Sequence, residues 1–198
     1  TATGARTNIT SGAGAIFGSS AQGQQIAAWA ASGICVATRG ATTGAVTKIN
    51  VVTRTLTTLS PSSITGLTAT CVLFRPDNNT FFVGTSNAKV TEIDANGAPL
   101  KTITLPTTPN ISAPTVGISG LSYYNDILAI LTQQGMLYFY KYSTSTILYQ
   151  LPAIAKIGGG TPSIGCLSDS ASGTFMIVRS AGQVLNSTIS VEECYAAV

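Results

Sequence analysis

Side chains that could carry out proton transfer or nucleophilic chemistry are few in this chain. Its 198 residues include no histidine, and only seven carboxylates stand against ten Lys and Arg. Without imidazole the usual general base, the Ser–His pairing and the commonest metal ligand are all missing. The carboxylates are Asp77, Glu92, Asp94, Asp126, Asp169, Glu192 and Glu193. A two-carboxylate hydrolase holds its pair roughly 5–10 Å apart across a substrate. Asp77, Asp126 and Asp169 instead fall in equivalent turns, where an Asp side chain caps its own backbone. Glu192 and Glu193 are adjacent and would point to opposite faces of a strand. No residue is assigned a catalytic role, and the chain is expected not to be an enzyme.

Metal and cofactor motifs are absent in the same way. The cysteines Cys35, Cys71, Cys166 and Cys194 have no CxxC spacing, so a zinc site is not expected. They are candidate disulfide cysteines, with three connectivities open; buried free thiols are the alternative. Asp169-Ser170-Ala171-Ser172-Gly173 lacks the acidic density and closing Glu of a calcium loop. Gly158-Gly159-Gly160-Thr161-Pro162 lacks the lysine of a phosphate loop and precedes no helix, so it reads as a linker. No metal and no cofactor are expected.

Two groups of residues point to binding rather than catalysis. Seven Tyr are present, and Tyr138, Tyr140 and Tyr142 share one face of a regular strand. Such a face is a candidate platform for a sugar or a partner; the alternative is packing between sheets. Asn8, Asn78, Asn110 and Asn186 each begin an Asn-x-Ser/Thr sequon, making them candidate N-glycosylation sites, with Asn78 in an expected exposed turn.

Charged residues make up 9 % of the chain, against about a quarter in an average domain. The polar surface must come largely from Thr, Ser, Asn and Gln, a composition suited to extracellular, cell-surface or virion proteins. The net charge of +3 is spread from Arg6 to Arg179 with no basic run, so nucleic acid is not an expected partner. No apolar run is long enough for a membrane helix.

The elements that position these residues follow from a repeat. Ile34–Thr38, Phe81–Thr85, Ile127–Leu131 and Phe175–Arg179 are apolar strings recurring with a period of about 47 residues. A second series is in register with them. Val46-Thr47-Lys48-Ile49-Asn50 matches Val90-Thr91-Glu92-Ile93-Asp94, and Leu137 and Val184 stand at the corresponding starts. Asn96-Gly97 marks a hairpin turn, as do Pro76–Asn79 and Asn125-Asp126. No segment holds a helical period, although Gln24–Ala31 is Ala-rich enough for helix to rival a strand there.

The expected fold is all-β: a β-propeller of four four-stranded antiparallel blades with an N-terminal extension. The blades would span about 24–64, 65–112, 113–157 and 158–198 within a domain 21–198. Residues 1–20 would form an arm or an exchanged strand. The last blade is expected to contain strands Val184–Ile189 and Glu193–Val198.

Residues 74–94, from Phe74-Arg75-Pro76-Asp77 through Phe81-Phe82-Val83-Gly84-Thr85 to Val90-Thr91-Glu92-Ile93-Asp94, resemble a blade of the YVTN, quinoprotein-like and NHL-type β-propellers. The resemblance implies architecture and no functional residue. Asp77-Asn78 stands where those blades carry Asp-Gly, and the third repeat lacks the turn proline.

These readings converge on a non-enzymatic extracellular structural or assembly subunit of a filament, coat or virion surface. It would form a homo-oligomer through the N-terminal arm. The alternative is a carbohydrate-binding, lectin-like module with glycans as partners.

Overall fold

The computed structural model describes residues 26–38, 46–106, 117–133, 136–151, 163–169, 174–180 and 189–195. Strand is the dominant element among these residues, with turns between the strands. The first sheet is built from β1 (Ile26–Trp29), β2 (Ile34–Thr38), β3 (Val46–Asn50) and β4 (Thr55–Leu59). The second contains β5 (Ala69–Arg75), β6 (Thr80–Thr85), β7 (Lys89–Ile93) and β8 (Pro99–Thr104). The third contains β9 (Ile118–Tyr124), β10 (Ile127–Thr132), β11 (Leu137–Lys141) and β12 (Thr146–Leu151). The fourth contains β13 (Ser163–Asp169), β14 (Thr174–Ser180) and β15 (Ile189–Tyr195). Every pairing is antiparallel between strands consecutive in sequence. Short 3₁₀ turns cover Ala30–Ser32 and Ser62–Ile64.

The four-bladed propeller expected from the repeat is corrected by this topology. Three sheets have four strands, the fourth has three described strands, and none of the four closes on itself. The departure lies in the last sheet. One long strand, β15, pairs directly with β14 over seven residues from Ser180↔Ile189 to Thr174↔Tyr195. It occupies the place of the two short strands expected at Val184–Ile189 and Glu193–Val198. Residues 181–188 lie outside the described residues. The four recurring strings, by contrast, each fall on the second strand of a sheet.

The second strands of the second and third sheets, β6 and β10, are largely apolar because both of their faces are covered. All six residues of β6 and all six of β10 are buried. Side chains alternate across a strand, so neighbouring residues of β6 enter different cores. Phe81 and Val83 pack with Val36, Val46, Leu59 and Ile64 of the first-sheet side. Phe82 packs with Leu121, Leu128, Ile130 and Tyr138 of the third sheet. The second sheet is therefore the shared wall of two cores. Each buried large apolar side chain contributes roughly 1.5–3 kcal/mol relative to exposure.

Adjacent sheets touch along their first strands: β1 and β2 lie on β5, β5 and β6 on β9, and β9 and β10 on β13. Gly84 makes one of these approaches possible. A Cβ there would lie 2.4 Å from Cys71 Sγ and 2.8 Å from Ile118 Cβ.

The turns use side-chain oxygens of Asn and Asp as backbone acceptors. Asn50 Oδ1 accepts from the amides of Val52 and Thr53 at 3.0 and 2.9 Å. Asp94, at the equivalent position, accepts from the amides of Asn96 and Ala98 at 2.8 and 2.9 Å. Gly97 follows with φ +86°, the left-handed conformation expected of the Asn96-Gly97 turn. Within the stretch Gln24–Ala31, Ile26–Trp29 is strand β1 and Ala30–Ala31 opens a 3₁₀ turn that Ser32 Oγ caps by donating to Trp29 O at 3.1 Å; Gln24 and Gln25 lie outside the described residues.

Candidate functional site

Ionisable and aromatic side chains converge where the second sheet meets the third. Arg75 ends β5, just before the turn 76–79, and Glu92 lies on β7. Both side chains are buried, at 8 % and 2 % exposure, and Arg75 Nη1 donates to Glu92 Oε1 at 3.1 Å. Thr80 Oγ1 donates to the same oxygen at 2.5 Å. The second carboxylate oxygen accepts from the hydroxyl of Tyr142, at the end of the third sheet's β11. The carboxylate thus holds three donors, one of them from the neighbouring sheet.

The guanidinium is enclosed by aromatic rings. Arg75 Cζ lies 4.0 Å from the ring centre of Tyr142, 5.1 Å from that of Tyr123 and 5.9 Å from that of Phe82. Such stacking is worth about 2 kcal/mol when desolvated. Arg75 Nε is buried without a hydrogen-bond acceptor and stands 4.0 Å from Asp77 Oδ2. Asp77 in turn accepts from Tyr123 OH at 2.8 Å, again across the sheet boundary. Lys101, on β8, donates to Tyr142 O at 3.0 Å and Ser145 Oγ at 2.8 Å, with its ammonium 4.0 Å from the Tyr142 ring centre.

These contacts shift the titrations of the groups involved. Burial, then the hydrogen bond to Asp77, pushes the Tyr123 phenol up to about 12. Burial and the bond to Glu92 raise Tyr142 as well. For Arg75, burial works against the charged form, but Tyr123, Glu92 and Tyr142 outweigh it and its pKa is raised. The cluster therefore keeps its phenols protonated and its guanidinium charged across the ordinary pH range. Its polar groups bond chiefly to one another, which makes it a joint between sheets.

The joint recurs at the preceding boundary with different chemistry. Lys48 on β3 occupies the position equivalent to Glu92, and its ammonium donates to Asn96 Oδ1 in the second sheet at 3.2 Å. One register position thus reaches the following sheet in both cases, once as a donor and once as an acceptor.

The candidate residues read from the sequence are distributed as follows. Tyr138, Tyr140 and Tyr142 share one face, as the alternation requires. That face is the one turned to the second sheet: Tyr138 and Tyr140 are buried in the core and Tyr142 packs against it. Asp77 and Asp126 do not act as simple caps of their own turns. Asp77 bonds to Tyr123, and Asp126 accepts from the amide and hydroxyl of Ser143 at 3.0 and 2.5 Å, tying two turns of the third sheet together.

Cys35 is half-buried and Cys71 buried, and both are free thiols. Burial pushes the Cys71 thiol up to about 12. Asn78 is exposed in the turn 76–79. Asn8, Asn110 and Asn186 lie outside the described residues, as do the side chains of Asp169, Cys166 and Cys194. The backbone register sets Glu192 opposite Ile177 and Glu193 opposite Met176, on alternate faces of β15. Trp29 stacks on Phe74 with ring centres 5.9 Å apart.

Arg75, Glu92 and Lys101 were not singled out by the sequence. The available signal was parity: Glu92 shares the strand face of Val90, so a carboxylate sits where an apolar residue is expected.

Among the described residues no three His, Cys, Asp or Glu side chains group as metal ligands, and no helix is long and apolar enough to cross a membrane. No family model matches the sequence, and no curated protein matches it. Among solved structures the chain is similar to the crystal structure of the computationally designed Ika4 protein. The TM-score is 0.53 at 15 % identity, covering 85 % of this chain and 88 % of that one. At this identity the likeness is one of fold.

Proposed function

We propose that this protein is a non-enzymatic structural subunit of an extracellular assembly, such as a filament, coat or virion surface. Residues 1–20 make the contact between subunits. The observation that carries this reading is the use of buried charge. Arg75 and Glu92 are engaged with Thr80, Tyr142 and the ring of Tyr123 in a bond between two sheets. A rigid stack of sheets cemented in this way, with little surface charge, suits a building block. The segment 1–20 supports the role assigned to it: it is rich in Gly, Ala, Ser and Thr, has no Pro and carries a single charge, Arg6.

Deleting residues 1–20 is expected to leave a folded protein with an unchanged β-sheet circular dichroism spectrum that no longer builds the extended assembly. Light scattering of the truncated and full chains tests this. The same particle mass from both would remove the arm from the assembly contact.

A further inference from the structure

We infer that the outer edge of β4 is a self-complementary interface through which two copies of this chain join their first sheets. The inference goes beyond the arm-mediated contact and does not require it.

A strand at a sheet edge offers unpaired N–H and C=O groups to any extended chain, and proteins blunt such edges with Pro, charge or a β-bulge. Eight described strands end their sheets; β1, β5, β9 and β13 lie along neighbouring sheets, which leaves β4, β8, β12 and β15 as the outer edges. β8 carries Pro99 and Lys101, and its register breaks at Glu92/Ile93, leaving Leu100 as the bulged residue. β12 breaks register at Phe139/Tyr140, leaving Leu148 bulged. β15 carries Glu192 and Glu193.

β4 has none of these devices. It pairs with β3 in unbroken register from Val46↔Leu59 to Asn50↔Thr55, and Thr55-Leu56-Thr57-Thr58-Leu59 contains no Pro and no charge. Thr55, Thr57 and Thr58 are exposed. Thr is a favourable strand residue, and Thr–Thr pairs stabilise antiparallel neighbours.

The occupant follows from the geometry of self-pairing. Two antiparallel copies related by a two-fold axis normal to the sheet must set residues of the same parity opposite one another, so that side chains share a face. Centred on Thr57, the pairing sets Thr57 against Thr57, Leu56 against Thr58 and Thr55 against Leu59. No like charges meet, and two four-stranded sheets become one of eight strands. Other centres shorten the overlap or run it into the turn at Asn50–Arg54. A second copy of β4 is therefore the strand that fits.

The test is symmetric cross-linking. Directly opposed residues in an antiparallel pair have Cα atoms about 4.5–5.5 Å apart, within the range a disulfide spans. Thr57→Cys is expected to form a reducible dimer under mild oxidation, whereas the unsubstituted chain and Leu100→Cys, exposed on the bulged edge of β8, do not. Thr57→Lys would set two ammonium groups face to face and is expected to weaken self-association at least tenfold in sedimentation equilibrium. Thr57→Val should retain it, which separates a lost interface from a disturbed fold.

Cross-linking of Thr57→Cys no greater than that of Leu100→Cys would overturn the proposal. So would unchanged self-association of Thr57→Lys. Loss of the extended assembly on deleting residues 1–20 would leave the Thr57 cross-link intact if both contacts are real. If the arm plays no part, deleting it leaves both the assembly and the cross-link unchanged.

Discussion

Glu92 carries more of the joint between sheets than any other side chain, because three donors converge on one buried carboxylate. Removing it leaves the Arg75 guanidinium buried among rings with no acceptor in reach other than the turn beside Asp77. Breaking a buried pair from one side costs about 3–5 kcal/mol. Glu92→Ala is expected to lower unfolding free energy by that amount in a urea titration. The double variant Arg75→Met, Glu92→Leu should recover most of the loss, since an apolar pair of similar volume does not leave a stranded charge. The phenols give the same joint a pH signature. Tyr123 has an ordinary pKa of 10.0 that rises to about 12 on folding. Its proton is bound more tightly in the native state, so its contribution is complete below pH 10 and is lost as pH climbs toward 12. The urea midpoint should fall across that window, and fall less steeply in Tyr123→Phe.

At the scale of elements, the spacing of neighbouring sheets rests on small residues under the first strands. Gly84→Ala would drive a methyl group into Cys71 and Ile118. Neither contact is the free end of a flexible side chain, so the cost is expected to be about 1–3 kcal/mol, the usual penalty of overpacking. Thermal unfolding of the variant checks this. The strands themselves were largely legible in the sequence because β6 and β10 are buried on both faces and so read as nearly unbroken apolar strings. Turns were legible where Asn50, Asp94 and Gly97 supply the oxygens and the positive φ that the backbone needs. The last sheet was not: β15 carries Glu192-Glu193 in mid-strand, and its pairing with β14 replaces two short strands that the period called for. The joint was not legible either. Its members are local in space but lie 17 and 50 residues apart for Arg75–Glu92 and Glu92–Tyr142, and no short motif encodes a contact of that separation. The tyrosine run was visible, yet alternation gives the parity of a face and not whether it meets solvent or another sheet.

For the whole molecule, the two cores share one wall, so the second sheet cannot loosen without exposing both. The first three sheets should unfold together. Trp29 is the only tryptophan in the chain and reports the boundary of the first and second sheets through its stacking on Phe74. Most of the tyrosines lie in the third sheet. In urea, tryptophan fluorescence and near-ultraviolet tyrosine dichroism are expected to give coincident transitions. A separate early tryptophan transition would mean that the first sheet detaches independently.

The exchange of Lys48 for Glu92 at one register position also fixes the sequence order of the units. An ammonium only donates and a carboxylate only accepts. A chain spliced so that the first unit abutted the third directly would set Lys48 beside the Tyr142 hydroxyl and leave that phenol without its acceptor. Although the units look alike in outline, the first and the second are each matched to the unit that follows. Recombination that shuffled, excised or duplicated them would have to rewrite the coupling residues at every new junction.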